Sequence, residues 1–163
     1  MVAIPCNTAH FWHAALQKET SLPILHIVDA VADQLGEQAV RSGPVGILAT
    51  TGTVQAGIYQ QRLAQRGVVC AVPEESGQAE VMRAITLIKA GDVGSARSIL
   101  VKEALALSEG GCRTLVMACT EIPIALAGAQ EQFPSLLVDA TDSLAKACVA
   151  AFLSPDRAFA IAA

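Results

Sequence analysis

Two stretches of the chain follow one pattern, and that pattern limits the folds open to it. An apolar run breaks into a cysteine-led polar triplet at Val2-Ala3-Ile4-Pro5-Cys6-Asn7-Thr8 and again at Leu115-Val116-Met117-Ala118-Cys119-Thr120-Glu121. Each is followed by a Pro-led apolar segment that ends in Asp-Ala, Pro23 to Ala30 and Pro134 to Ala140. The cysteines lie 113 residues apart and the aspartates 110. A near-constant offset over two landmarks is the mark of an internal duplication. Apolar runs of this length, bounded by turn formers, read as buried strands. The chain is thus expected to fold as two related strand-loop-helix halves that carry their thiols to equivalent places.

Between these landmarks strands alternate with helices. Strands are expected at residues 2–5, Ile24–Val28, Val45–Ala49, Val68–Val72, Arg113–Ala118 and Leu136–Val138. Helices are expected over Thr8–Lys18, from an Asp29 N-cap to about Arg41, over Val54–Arg66, Gln78–Ala90 and Val93–Glu109, after Pro123, and over Ala140–Leu153, with the tail from Ser154 fraying. Thr50-Thr51-Gly52-Thr53 reads as a polar turn, and Gly110-Gly111 as a helix stop. Such alternation predicts α/β architecture with parallel strands joined by crossovers. Its ligand sites fall at the C-terminal strand ends, where both Cys6 and Cys119 lie. The repeat divides the chain into a first lobe of residues 1–42 plus 129–163 and a second of 43–128. The turn at Thr50–Thr53 precedes Cys119 by about 70 residues and has no counterpart before Cys6, so the first lobe reads as truncated.

Composition narrows the class further. Of 163 residues 53% are hydrophobic but only 4% aromatic, a core of Ala, Val, Ile and Leu suited to helices packed on a parallel sheet. The net charge of -4, without a basic run, argues against nucleic acid as a partner. No apolar stretch is long enough for a membrane span and the start lacks a signal-peptide pattern, so a cytoplasmic protein is expected. Five cysteines without a CxxC pair fit free thiols in a reducing compartment.

Pro5-Cys6-Asn7-Thr8-Ala9-His10 together with Ala118-Cys119-Thr120-Glu121-Ile122-Pro123 resembles the aspartate/glutamate racemase superfamily, and within it the aspartate racemase branch. Glutamate racemases usually carry Cys-Thr-His at the second position. The resemblance extends through Gly46–Thr53, Gly57–Leu63 and Ala84–Gly91, and leaves out the family's N-terminal portion. It implies cofactor-independent racemisation of an acidic amino acid, with no pyridoxal phosphate and no metal, in a homodimer. Cys6 and Cys119 would be the two proton-transferring thiols, one on each face of Cα. That chemistry needs a base and an acid on opposite faces, and a thiol beside a helix N-terminus has a lowered pKa. Asn7, Thr8 and Thr120 are expected to bind the substrate carboxylate, with Thr51 and Thr53 behind them. Lys89 is a candidate for a substrate side-chain carboxylate or a solvated helix-end lysine. Glu121 either tunes Cys119 or complements a helix start.

Other readings stay open. The same scaffold serves hydantoin racemases, maleate isomerases and arylmalonate decarboxylases, and a truncated chain could be an inactive remnant that binds a small carboxylate. His10 reads as orienting the Cys6 loop rather than joining His13 and Cys6 on zinc. His26 reads as a packed strand residue, Asp29 and Asp139 as N-caps, and Cys70, Cys112 and Cys148 as small buried hydrophobes.

Overall fold

The computed structural model describes residues 1–36 and 42–153. Its frame is a parallel sheet built around the most apolar runs of the chain. Strand β3 (Val45–Ala49) is buried at every position, and β5 (Thr114–Ala118) at all but its first. They pair in register from Val45 opposite Thr114 to Ala49 opposite Ala118. Strand β4 (Cys70–Ala71) flanks β3, and β6 (Leu136–Asp139) flanks β5, giving the order β4-β3-β5-β6 with all strands parallel. A second, two-stranded parallel sheet joins β1 (Val2–Ala3) to β2 (Ile24–Leu25).

Both faces of the larger sheet are covered, which is why its strands read as continuous apolar runs rather than alternating ones. Val45, Ile47, Ala49, Val116 and Ala118 face a layer made by α2 (Ile27–Leu35), α4 (Ile58–Ala64) and α8 (Ala140–Leu153). Leu48, Leu115 and Met117 face α5 (Glu75–Lys89), α6 (Val93–Glu109) and the short α7 (Ile122–Leu126). Gly46 lies on this second side because a Cβ there would stand 2.5 Å from the Leu115 side chain. Helix α6 starts where Asp92 accepts the Ser95 N–H at 3.1 Å and ends at Gly110. Helix α8 packs on α2, whereas β6 belongs to the four-stranded sheet, so residues 136–153 touch both sheets. Among the described residues no helix is long and apolar enough to cross a membrane.

Several expected elements change. The strand expected over 24–28 stops at Leu25, because the His26 ring accepts the Val28 N–H at 3.2 Å and begins α2 there. His26 is therefore the N-cap, not a strand residue. Asp29 is not a cap but a buried member of the first helical turn, ion-paired with Arg62 on α4. Residues 37–41 of the expected helix, and the tail from Ser154, lie outside the described residues. Asp139 does cap, accepting the Thr141 N–H at 2.8 Å. The 8–18 helix divides into a 3-10 turn (Thr8–Trp12) and α1 (His13–Lys18). The helix expected over 54–66 starts earlier, as α3 (Thr51–Gln55), and breaks at Gly57, whose φ of 66° is the left-handed conformation glycine tolerates best.

Candidate active site

The site lies at the carboxyl end of the larger sheet. The chain runs from β3 outward to β4 and then returns past β3 to β5, so the strand order reverses between β3 and β5. Ligands of open α/β sheets bind in the crevice at such a reversal. Ala49 and Ala118 are the last paired residues on either side of it, and Thr50 and Cys119 come next.

Cys119 is only 7% exposed, and its thiol donates to Glu121 Oε2 at 2.9 Å. Thr120 donates its hydroxyl to the same oxygen at 2.9 Å, and Lys89 Nζ stands 3.6 Å from Glu121 Oε1. Burial, followed by the hydrogen bond to the Glu121 carboxylate, pushes the Cys119 thiol up to about 12, against a smaller opposing pull from Lys89. The same hydrogen bond holds the Glu121 carboxyl below its usual range. At neutral pH the pair is thiol and carboxylate. The expectation of a lowered thiol pKa at a helix start is thus reversed at Cys119, because desolvation and a neighbouring anion outweigh the first turn of the five-residue α7.

The Cys6 loop reaches the same end of the sheet from the small one. Thr8 Oγ1 lies 3.1 Å from Thr50 Oγ1 and 2.8 Å from Thr53 Oγ1, and these two hydroxyls are 2.9 Å apart. Thr50 also accepts the Thr53 N–H at 3.3 Å, capping α3. A closed group of three hydroxyls thereby fastens the Cys6 loop beside the strand end next to Cys119. Asn7, 4% exposed, accepts the Tyr59 hydroxyl at 2.6 Å, while its Nδ2 has no partner among the described residues. Burial drives the Tyr59 hydroxyl pKa upward, so it stays a donor. Cys6 itself is exposed.

His10 holds the loop from behind. Its Nε2 accepts the Ile27 N–H at 3.1 Å, so the proton sits on Nδ1, which donates to the Cys6 carbonyl at 3.0 Å. Burial lowers the His10 pKa, keeping the ring neutral. His13 donates to the Ile24 carbonyl at 2.8 Å, and the three rings of His10, His13 and His26 pack together. Among the described residues no group of three His, Cys, Asp or Glu side chains could hold a metal ion.

Of the residues singled out in the sequence, Cys119, Thr120, Glu121 and Lys89 form one cluster, and Asn7, Thr8 and Thr53 another beside Cys6. Thr51 is turned toward α5 instead, its hydroxyl accepting from Gln78 Nε2 at 3.3 Å and its N–H meeting Met82 Sδ at 3.2 Å. Sequence reasoning missed Tyr59 and the hub role of Thr50. Thr50 carried a legible signal, a threonine three residues before another at a strand-to-helix turn, whereas Tyr59 meets Asn7 across 52 residues with none. Cys112 is buried as expected, while Cys70 and Cys148 are half-buried against the core.

The architecture is parallel α/β, with Cys119 at the sheet reversal and the Cys6 loop tied through Thr8 to the end of β3. Residues 1–148 match the profile of the Asp/Glu/Hydantoin racemase family, and the chain belongs to that family. It is 28% identical over 153 residues to the broad specificity amino-acid racemase RacX of Bacillus subtilis, covering 94% of this chain and 65% of that protein. It is 32% identical to an uncharacterized protein in the pnlA 3' region of Pectobacterium carotovorum, covering 85% of this chain and 91% of that one. Among solved structures, the aspartate racemase of Picrophilus torridus superposes with a TM-score of 0.71 at 27% identity, over 91% of this chain and 60% of that one. An aspartate racemase homologue from Pyrococcus horikoshii superposes at 0.77 with 25% identity, over 90% and 64%. The chain thus spans less than two thirds of the length of these racemases, and about half of that of the glutamate racemases it also matches.

Proposed function

We propose that this protein is an amino-acid racemase acting on an acidic amino acid, aspartate foremost, by two-thiol proton transfer without pyridoxal phosphate or metal. The observation that carries the reading is the buried Cys119 thiol, hydrogen-bonded to Glu121 in the reversal crevice toward which Thr8 ties the Cys6 loop. In this reading a Cys6 thiolate takes the Cα proton and the C–H electron pair moves into the α-carboxylate. Cys119 then delivers its proton to the opposite face. In the reverse direction Cys119, left as the thiolate, takes the Cα proton and the Cys6 thiol returns one to the other face, while the Glu121 carboxylate, paired with Lys89, holds the Cys119 proton between turnovers. Asn7 Nδ2, the buried donor without a partner, suits the substrate carboxylate, with Thr120 supporting it and Thr8 and Thr53 fixing the loop, while Thr51, turned toward α5, is left out of that role. Aspartate is favoured over glutamate by Cys-Thr-Glu at the second loop. A homodimer in the cytoplasm completes the proposal.

The test is α-deuterium incorporation and optical rotation on L-aspartate, with L-glutamate alongside, for the wild type, Cys6→Ala and Cys119→Ala. Each substitution should lower racemisation by about 10² to 10⁴. Near-normal turnover in either variant would refute the two-thiol reading, and faster turnover of glutamate would refute the substrate.

A further inference from the structure

A second site lies away from both cysteine loops. A cavity of about 500 Å³ opens under edge strand β4, between the β4 exit, the first turns of α5 and the C-terminal half of α6. That volume is in the range of small-molecule sites. None of the residues placed in the cysteine site lines it.

Its charges are unbalanced in a specific way. Glu74, Glu80 and Glu103 line it against one cation, Lys102. Glu80 is already held by Arg83 through two nitrogens, and Lys102 acts electrostatically on Glu80. Glu103 is different: it is 8% exposed, and its carboxylate makes no hydrogen bond or ion pair with any described residue. The Glu103 side chain lines the cavity with no partner among the described residues to displace, so its carboxylate is available to a ligand there. The space for it is made by Gly77, where a Cβ would collide with Glu103 Oε2. Val72, Pro73 and Leu107 supply apolar wall beside the carboxylate.

We propose that this cavity binds a short aliphatic amine, its ammonium on Glu103 and its methylenes along the apolar wall. The inference goes beyond the racemase reading and does not depend on it. Calorimetric titration of putrescine into the whole chain should give saturable one-to-one binding below about 5 mM, while 1-butanol gives none. Glu103→Gln, which keeps the shape and removes an unpartnered charge, should weaken putrescine at least about tenfold. Gly77→Ala should weaken it as well, by driving a methyl group into the carboxylate, and so tests the idea independently should the first variant fold poorly. Cys119→Ala should bind as the wild type does. Absence of putrescine binding, equal binding of butanol, wild-type affinity in either Glu103→Gln or Gly77→Ala, or loss of binding in Cys119→Ala would each overturn the proposal.

Discussion

The two cysteine loops share a sequence pattern and differ in almost everything physical. Cys119 follows a five-residue strand paired on both sides; it is buried and its thiol faces a carboxylate two residues away. Cys6 follows a two-residue strand paired on one side only, and it is exposed. At the second position after the cysteine, one loop carries Glu121 and the other Thr8, whose hydroxyl is spent on Thr50 and Thr53. The neighbour of Cys119, Thr120, is exposed and serves Glu121, whereas the neighbour of Cys6, Asn7, is buried and held by Tyr59. One thiol is governed locally by charge and burial, and the other is positioned by residues 42 to 52 positions away. Duplication can repeat a motif, but the strand that delivers it sets its dielectric and therefore its chemistry.

The largest effect expected from this contrast comes from Glu121→Gln. Removing the carboxylate takes away an anion that opposes thiolate formation, so the Cys119 pKa should move down from about 12. Iodoacetamide labelling of Cys119, followed against pH by mass spectrometry, should rise at pH 9 by about tenfold for each unit of that movement. In the proposed reaction turnover should fall about a hundredfold, because Cys119 loses the group that exchanges its proton. Labelling of Cys6 should not change. An unaltered Cys119 profile would show that burial alone sets its state.

The parts of this contrast that rest on neighbours in sequence were legible from the residues alone. Helix α6 was bounded by Asp92 and Gly110, α8 followed a capping Asp139, and β3 and β5 were apolar runs between turn formers. Glu121 was visible as a partner of Cys119 because only one residue separates them. What could not be read was carried by tertiary contacts. Ile27 and Val28 look like the continuation of a strand, and only the His26 ring, an uncommon cap, turns them into a helix. Asp29 has the look of a cap, yet Arg62 lies 33 residues away and claims its carboxylate. The pKa of Cys119 was misjudged because burial, the largest cause of its rise, is a property of the packed sheet and not of the triplet.

A smaller effect should follow from Tyr59→Phe. The substitution keeps the ring in its fully buried place and removes the donor to Asn7 Oδ1, leaving a buried acceptor unpaired. Such a loss costs about 1 to 3 kcal/mol. Urea unfolding should therefore shift its midpoint down with an unchanged slope. If the Cys6 loop is positioned from a distance and the Cys119 loop is not, iodoacetamide should reach Cys6 faster in the variant and Cys119 at the wild-type rate. Equal acceleration at both cysteines would mean that the loops move as one unit and that the contrast is only one of burial.

The least pronounced effect concerns acid, and it acts on the Cys6 side alone. Burial lowers the pKa of His10 and takes that of His26 down to about 2, with Arg62, His10 and His13 adding smaller repulsions at His26. Both rings accept a backbone N–H, from Ile27 and Val28, and protonation would abolish those bonds. The folded-state pKa values lie below the unfolded value near 6.5, so the unfolded chain binds more protons as pH falls through that value. Stability is then full above about pH 6.5 and declines below it. After allowance for solvent screening the decline is on the order of 1 kcal/mol per pH unit. Equilibrium unfolding at pH 7.5, 6 and 5 measures it. His26→Gln, which cannot titrate, should flatten the slope between pH 6 and 5 while leaving the Cys119 labelling profile in place. A slope unchanged by that substitution would move the acid sensitivity to another group and remove the histidines from the account of how the Cys6 loop is held.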